Sequence, residues 1–303
     1  MSNERLRVTE CLFNPSNRLF RPVSDIFLRS NSPLSCVLFE AMHFGVSMKE
    51  IRKAGDRGAT RLPWLKSRHS FSFGSYRNPQ ESGFSDLRVI NEDWISQGKG
   101  FGQHGHRDVE ILTYVLKGTL AHRDTLANST RIHAGDFQLI SAGSGIEHSE
   151  FNASATQPVH LLQIWLTPHS SRTKPSYQQK HFPAGERHGK LQLIASKTGQ
   201  AGSLKILQDT KIYAGNFSQG ESHTLALAGR RHAYVHVVAG RLRVNGETVA
   251  EGDGLKLTET QAVTFSHATD AQVLVFDLRA TGSAPSRKQS FGGCKTQACA
   301  RRR

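Results

Sequence analysis

The sequence predicts an all-β protein made of two tandem antiparallel β-barrels, and three observations carry that prediction. Short apolar runs are broken at close intervals by glycine-containing turns, with no long amphipathic helical pattern between them. A second, weaker copy of the same pattern follows the first. Two ligand-x-ligand pairs, His104/His106 and His148/Glu150, stand in the first copy, which is the arrangement expected of a small barrel that holds a ligand inside.

The elements of the first copy follow in order. The H-x-H pair at 104–106 precedes residues 111–116, Ile-Leu-Thr-Tyr-Val-Leu, an apolar and β-rich run. Lys117-Gly118 turns the chain and residues 119–123 return it. Asn128-Ser129 makes the next turn before a short strand at 131–133, and Ala134-Gly135-Asp136 turns into 137–140. Gly143 and Gly145 then lead to His148, and Val159–Leu166 is the next strong apolar strand. In the second copy, H-V-V-A-G ending at Gly240 matches Y-V-L-K-G ending at Gly118. Gly252-Asp253 matches Gly135-Asp136, and V-L-V-F-D-L at 273–278 matches L-L-Q-I-W-L at 161–166.

Alternate residues of a strand share a face, so His104 and His106 project together, as do His148 and Glu150. Two such strands brought together present three imidazoles and a carboxylate to a common point. Nitrogen with oxygen donors suits a divalent iron, manganese, nickel, copper or zinc ion better than calcium or magnesium. Three histidines and one glutamate leave coordination positions open, and open positions serve chemistry rather than scaffolding. With 15 His in the chain, one H-x-H pair alone would be weak evidence; two pairs separated by strands and turns are much stronger.

Counting from the matched glycines tests the second copy. His106 and His104 lie twelve and fourteen residues before Gly118, and the same steps back from Gly240 reach Ala228 and Ala226. His148 and Glu150 lie thirteen and fifteen after Gly135, and the same steps from Gly252 reach Phe265 and His267. Three of the four ligand positions are lost, so the second barrel is expected to be metal-free and His267 to be a surface or packed histidine.

These residues also carry a family resemblance. Gly98, His104-x-His106, Glu110 and Gly118 match the first motif of a cupin, and Gly143-x-Gly145-x-x-His148 with Asn152 matches the second. A narrower pattern runs H-x-H-R-D-x-E-I-x-T-Y-V-L-x-G from His104 and H-x-D at His122 and Asp124. It continues with G-D-x-Q at Gly135, S-A-G-x-G-x-x-H-S-E-F from Ser141, and L-x-Q-I-W from Leu161. With W-L-x-S-x-H-S-F-S-F-G-x-Y opening at Trp64, the chain resembles the pirin family of bicupins from about Met48 to Leu278, especially bacterial members with quercetin 2,3-dioxygenase activity.

The resemblance implies two cupin barrels of jelly-roll type and metal ligands at His104, His106, His148 and Glu150. A generic cupin takes its carboxylate from the first motif, here Glu110, whereas pirins take it from the second. Glu150 shares a strand face with His148 and is therefore preferred, with Glu110 kept as a neighbouring or alternative ligand. His122 is balanced between lining the cavity and standing half-exposed on its strand. One divalent metal per chain is implied, Fe(II) first, with Cu, Mn, Ni, Co or Zn as alternatives. The implied reaction is opening of the ring of a flavonol such as quercetin by O₂ with release of carbon monoxide, with Glu150 as catalytic base. The alternative is a metal-containing regulator that binds a partner protein in a redox-dependent way.

The resulting domain plan is an N-terminal extension at 1–47, either disordered or not part of the native chain, a metal-binding domain at 48–178, a degenerate barrel at 179–280 and a basic tail at 281–303, the last reading as disordered. The net charge of +14 divides into +1 for residues 1–47, +6 for 282–303 and +7 for the remainder, so much of the excess sits in the tail. A tail of that kind touches nucleic acid or an acidic partner without specificity, and no specific nucleic-acid binding is expected because the chain carries no helix-turn-helix, zinc-finger or RNP-like pattern. Cys11, Cys36, Cys294 and Cys299 all lie outside 48–278, so the barrels require no disulfide. Without an apolar run of membrane-spanning length or a signal-like start, the expected location is cytoplasmic.

Overall fold

The computed structural model describes residues 48–280. The expectations for residues 1–47, for the tail and for the four cysteines lie outside the described residues. The strands of the first half are β1 (Lys49–Arg52), β2 (Gly58–Leu62), β3 (Leu65–His69), β4 (Leu87–Ile95), β5 (Gly100–His106) and β6 (Glu110–Lys117). They continue with β7 (Thr119–Asp124), β8 (Ser129–His133), β9 (Asp136–Ser141), β10 (Ile146–Asn152), β11 (Val159–Leu166) and β12 (Ser176–His181). The second half holds β13 (Leu191–Ser196), β14 (Leu204–Lys205), β15 (Thr210–Phe217), β16 (His223–Val244), β17 (Glu247–Ala250) and β18 (Gly254–Arg279). Among the described residues the helical elements are short 3₁₀ turns, and no helix is long and apolar enough to cross a membrane.

The first barrel packs a sheet ordered β12-β9-β6-β11-β4-β3-β2 over a smaller one ordered β5-β10-β7-β8. The expected strands are all present, and Val159–Leu166 has the bounds read from the sequence. β6 explains why residues 111–116 are apolar at every position but Thr113 instead of alternating. Ile111 and Val115 pack in clusters inside the first barrel, while Leu112 and Tyr114 pack in a core shared with the second barrel. A strand buried on both faces has no position left for a polar alternation.

In the second barrel the strands form one sheet, in which the long strands β16 and β18 pair with each other along more than one stretch. Residues 233–236 pair with 254–257 on one side and with 274–277 on the other, the partner number falling as the residue number rises, so both pairings are antiparallel. β1 pairs with residues 254–257 of β18, so the strand that opens the first domain in sequence lies in the sheet of the second barrel. β12, which spans the 178/179 boundary, belongs to the first barrel through its pairing with β9.

The matched glycines of the two copies share a conformation. Gly118 has φ +84° and Gly240 φ +68°, both in the left-handed region where only glycine is unstrained. A Cβ at Gly118 would sit 3.0 Å from the Pro158 carbonyl oxygen, and one at Gly240 would collide with that of Asp270. The repeat thus reflects the same tight turn built twice.

Between the barrels lies one extended apolar layer. Phe71, Ile90, Leu112, Leu139, Leu162 and Phe182 from the first meet Ile194, Ile212, Tyr234, Leu274, Phe276 and Leu278 from the second, all essentially buried. Burial on this scale is the main favourable contribution that holds one barrel to the other.

Candidate metal centre

β5 and β10 are hydrogen-bonded antiparallel neighbours, with His104 opposite His148 and His106 opposite Ile146. The register slips by one residue between His148 and Glu150, so that Glu150 stands opposite Phe101 on that side. On its other edge β10 pairs with β7, placing Glu150 directly opposite His122. The consequence is a tight triangle of imidazoles. Ring centroids lie 4.4 Å apart for His104 and His148, 4.9 Å for His106 and His148, and 4.9 Å for His104 and His106.

Donor atoms gather in two groups that share His148. His104, His106 and His148 form one, and His122, His148 and Glu150 the other, each with its donor atoms within 4.8 Å of one another. All four residues of the expected tetrad are therefore in the cluster, with Glu150 on the inner side. His104 and His106 are partly exposed, whereas His122, His148 and Glu150 are buried. The cluster opens outward along β5 and closes inward at Glu150.

The protonation chemistry suits a cation. Burial, with the neighbouring imidazoles adding to it, lowers His106 to about 3 and His148 to about 2, and burial also lowers His104. At neutral pH the three rings are neutral, the state in which imidazole binds metal. His104 Nδ1 donates to the Gly102 carbonyl at 2.7 Å, which leaves Nε2 as the lone pair facing the cluster. His148 is buried with no hydrogen-bond partner on either ring nitrogen, and Glu150 Oε1 has none either. Leaving buried polar atoms unsatisfied costs free energy, so the donor set fits a bound divalent ion that one His148 nitrogen and Glu150 Oε1 would coordinate.

Glu150 is held by a short relay. Trp165 Nε1 donates to Gln163 Oε1 at 3.3 Å, which fixes the amide so that Gln163 Nε2 donates to Glu150 Oε2 at 2.8 Å. Burial raises the Glu150 carboxyl to about 7, the Gln163 hydrogen bond opposing the shift and the Asp93 charge adding to it. Trp165 also meets the ring of His106 edge-on at 5.0 Å, closing one wall of the site.

His122 lines the interior. It is 1% exposed, Nε2 bonds Asp124 at 2.9 Å, and its ring stacks on Tyr177 at 5.0 Å. Glu110, in contrast, lies outside both groups of donors. It shares a face of β6 with Leu112 and Tyr114, the face turned to the second barrel, and its Oε2 accepts from Ser141 Oγ at 2.9 Å and Leu207 N at 3.1 Å. Its even spacing from His106 carried no meaning because β5 ends at His106 and β6 starts at Glu110, with Asp108 at φ +51° between them. The role of Glu110 as neighbouring or alternative ligand is therefore not supported. In the second barrel, at the positions matching the ligands, Phe265 is buried and His267 is exposed, as expected for a surface histidine.

Sequence reasoning gave no role to Gln163, Trp165, Gln138 or Tyr177. The available signal was a glutamine amid the apolar residues of each of two largely buried strands, Gln138 in β9, 3.4 Å from His122 Nδ1, and Gln163 in β11, where an unpaired amide would be costly.

With this geometry, comparison with known proteins becomes specific. The Pirin family model matches residues 50–166, and the model for the quercetinase C-terminal cupin domain matches residues 193–278. The chain belongs to the pirin family. It is 44% identical over 228 residues to the quercetin 2,3-dioxygenase of Escherichia coli (strain K12), covering 75% of this chain and 97% of that one. It is 38% identical over 228 residues to a pirin-like protein of Caulobacter vibrioides, covering 75% and 98%. Among solved structures it resembles the bacterial pirin YhhW from E. coli in complex with nickel(II), at 42% identity and a TM-score of 0.74 over 77% of this chain and 100% of that one. The two barrels of this pirin are accordingly cupin domains, and the chain is a bicupin.

Proposed function

We propose that this pirin is a metal-dependent dioxygenase that opens the ring of a flavonol such as quercetin with O₂, with His104, His106, His148 and Glu150 as the metal ligands. The observation that carries the reading is the buried His148, unpartnered on both nitrogens, between His104 and His106 and next to a carboxylate balanced between its two protonation states. The relative from E. coli named quercetin 2,3-dioxygenase supports the reaction class, and the nickel(II) complex of the E. coli pirin supports a metal at a site of this kind.

A divalent ion on these donors, Fe(II) first among the candidates, would supply Lewis acidity towards the flavonol hydroxyl and so lower its pKa. The chain supplies the rest. Glu150 would accept the proton released by that hydroxyl at Oε1 once that oxygen is not engaged as a ligand, and Gln163 holds Oε2 so that the carboxyl group stays in the site. Trp165 with Val109, Ile111, Ile140 and Ile146 forms an apolar wall that excludes water. The partly exposed side at His104 and His106 admits a flat polyphenol, and O₂ is the second substrate.

The test is anaerobic reconstitution with Fe(II), followed by oxygen uptake and carbon monoxide detection across a panel of flavonols. Flavonol-dependent uptake with carbon monoxide release is the expected result. Its absence in metal-loaded protein would move the reading to a metal-containing regulator that binds a partner protein.

A further inference from the structure

The barrels enclose a second concavity on the opposite face of β6 from the metal centre. It is a cleft of about 580 Å³ lined by residues of both barrels and of the segment joining them. Arg187, from the short 3₁₀ turn Ala184–Arg187, lines it and is 3% exposed. Its Nη2 donates to Tyr114 Oη at 2.7 Å, and Gln272 Nε2 donates to the same oxygen at 2.6 Å. Nε and Nη1 have no partner.

The charge of this guanidinium meets the face of Tyr114, Cζ lying 5.4 Å from the ring centroid, but no counter-ion. Among the described residues no carboxylate forms an ion pair with it. Acids around the lining are engaged elsewhere, Asp136 with His181 at 2.8 Å and Glu221 with His188 at 3.0 Å; Glu186, next to Arg187 on its turn, accepts from Gln192 at 2.8 Å, and Asp270 lines the cleft without pairing with Arg187. Tyr114 stays a neutral phenol, since burial raises its pKa and the hydrogen bonds it receives do not reverse that rise. A buried, always-charged guanidinium that lines a cleft and keeps two donors without partners is an unfavourable arrangement unless an anion completes it. The rest of the wall is partly apolar, with Leu116, Phe217 and Ala271 beside Asn216, whose Oδ1 is also unpartnered.

We propose that this cleft binds a small organic carboxylate, its carboxylate on Arg187 and its apolar body against Leu116 and Phe217. Charge-assisted hydrogen bonds from Nε and Nη1 supply the recognition, and the cleft is large enough for a ring-sized body. Inorganic phosphate would satisfy the guanidinium but leave the apolar wall uncovered, so the structure favours the organic anion.

Calorimetric titration of the full chain with benzoate, benzamide and inorganic phosphate tests this. His148→Ala protein serves as the background, so that carboxylate bound at the histidine cluster does not contribute and the outcome is independent of the metal chemistry. Saturable benzoate binding is expected, with benzamide and phosphate each at least tenfold weaker. Arg187→Met should weaken benzoate at least tenfold and, in the absence of anion, should unfold at a temperature no lower than its parent, because a buried charge without a counter-ion has been removed. Ala134→Trp, at an exposed lining position on the rim, should weaken benzoate without altering the guanidinium, and it decides the matter if Arg187→Met does not fold. Benzoate and benzamide binding alike, phosphate binding tighter than benzoate, or benzoate affinity unchanged in the folded variants would each overturn the proposal.

Discussion

Gln163 donates a 2.8 Å hydrogen bond to Oε2 of Glu150 and leaves Oε1 of the same carboxylate without a partner. The two oxygens are therefore inequivalent: one is anchored to the opposite sheet, and the other faces the histidines. Removing the anchor should loosen the carboxylate and, by taking away the hydrogen bond that opposes its raised pKa, favour its neutral form, and both changes weaken it as a ligand. Gln163→Leu is expected to weaken metal binding by about 10- to 100-fold, the usual cost of losing a group that orients a ligand. Competition titration against a chelator of known affinity measures it, and unchanged affinity would show that Gln163 does not orient the site.

Purified protein is expected to carry about one transition-metal ion per chain. His106→Ala and His148→Ala should each abolish tight binding while circular dichroism remains that of the parent, because the two apolar barrels and their shared layer do not depend on these rings. Elemental analysis giving two ions per chain, or full occupancy in both variants, would refute the cluster as the site.

The two candidate carboxylates make opposite predictions. Glu150→Gln keeps the shape and an oxygen donor but removes the proton acceptor, so flavonol turnover should fall by roughly 10²- to 10⁴-fold. Glu110→Gln should cost far less turnover, since Glu110 is bonded to Ser141 and Leu207 on the far face of β6. Greater damage from Glu110→Gln would assign the base to the wrong residue.

Glu92 should make the fold acid-sensitive. Burial pushes its carboxyl up, but the hydrogen bond with His160 and the charges of Arg57 and His236 outweigh burial and bring it down to about 2 from an ordinary 4.5. Arg57 Nη1 lies 2.9 Å from one oxygen and His160 Nε2 3.0 Å from the other. A carboxylate depressed in the folded state stabilises above its unfolded pKa, and that contribution fades as pH falls from about 4.5 towards about 2. Each tenfold change in a proton-binding constant is worth about 1.4 kcal/mol, so Glu92→Gln should lower the unfolding free energy at pH 7 by up to about 3 kcal/mol, with the gap narrowing below about pH 4.5. Denaturant unfolding of both proteins at neutral and acid pH checks the sign, and a gap that widens in acid would exclude it.

Much of the site was legible before the fold. Extended backbone turns residues i and i+2 to one face whatever surrounds the strand, so His104 with His106 and His148 with Glu150 could be paired from spacing alone. The same rule failed at Glu110 because it holds only within one strand, and the chain turns at Asp108. His122 could not be resolved from its own strand. Its burial comes from pairing opposite Glu150 and stacking on Tyr177, partners 28 and 55 residues away in sequence.

The sequence by itself determined the all-β class, the doubling of the barrel and the histidine pairs, because turn chemistry, strand alternation and repeat spacing are local properties of the chain. Tertiary structure alone decided that β1 joins the second barrel, that Gln163 and Trp165 hold Glu150 from the opposite sheet, and that Arg187 is buried against Tyr114 with no acid paired to it. Each of these is a contact between residues distant in sequence, fixed by strand register and by how the apolar faces of two barrels meet, and none is encoded in any single segment.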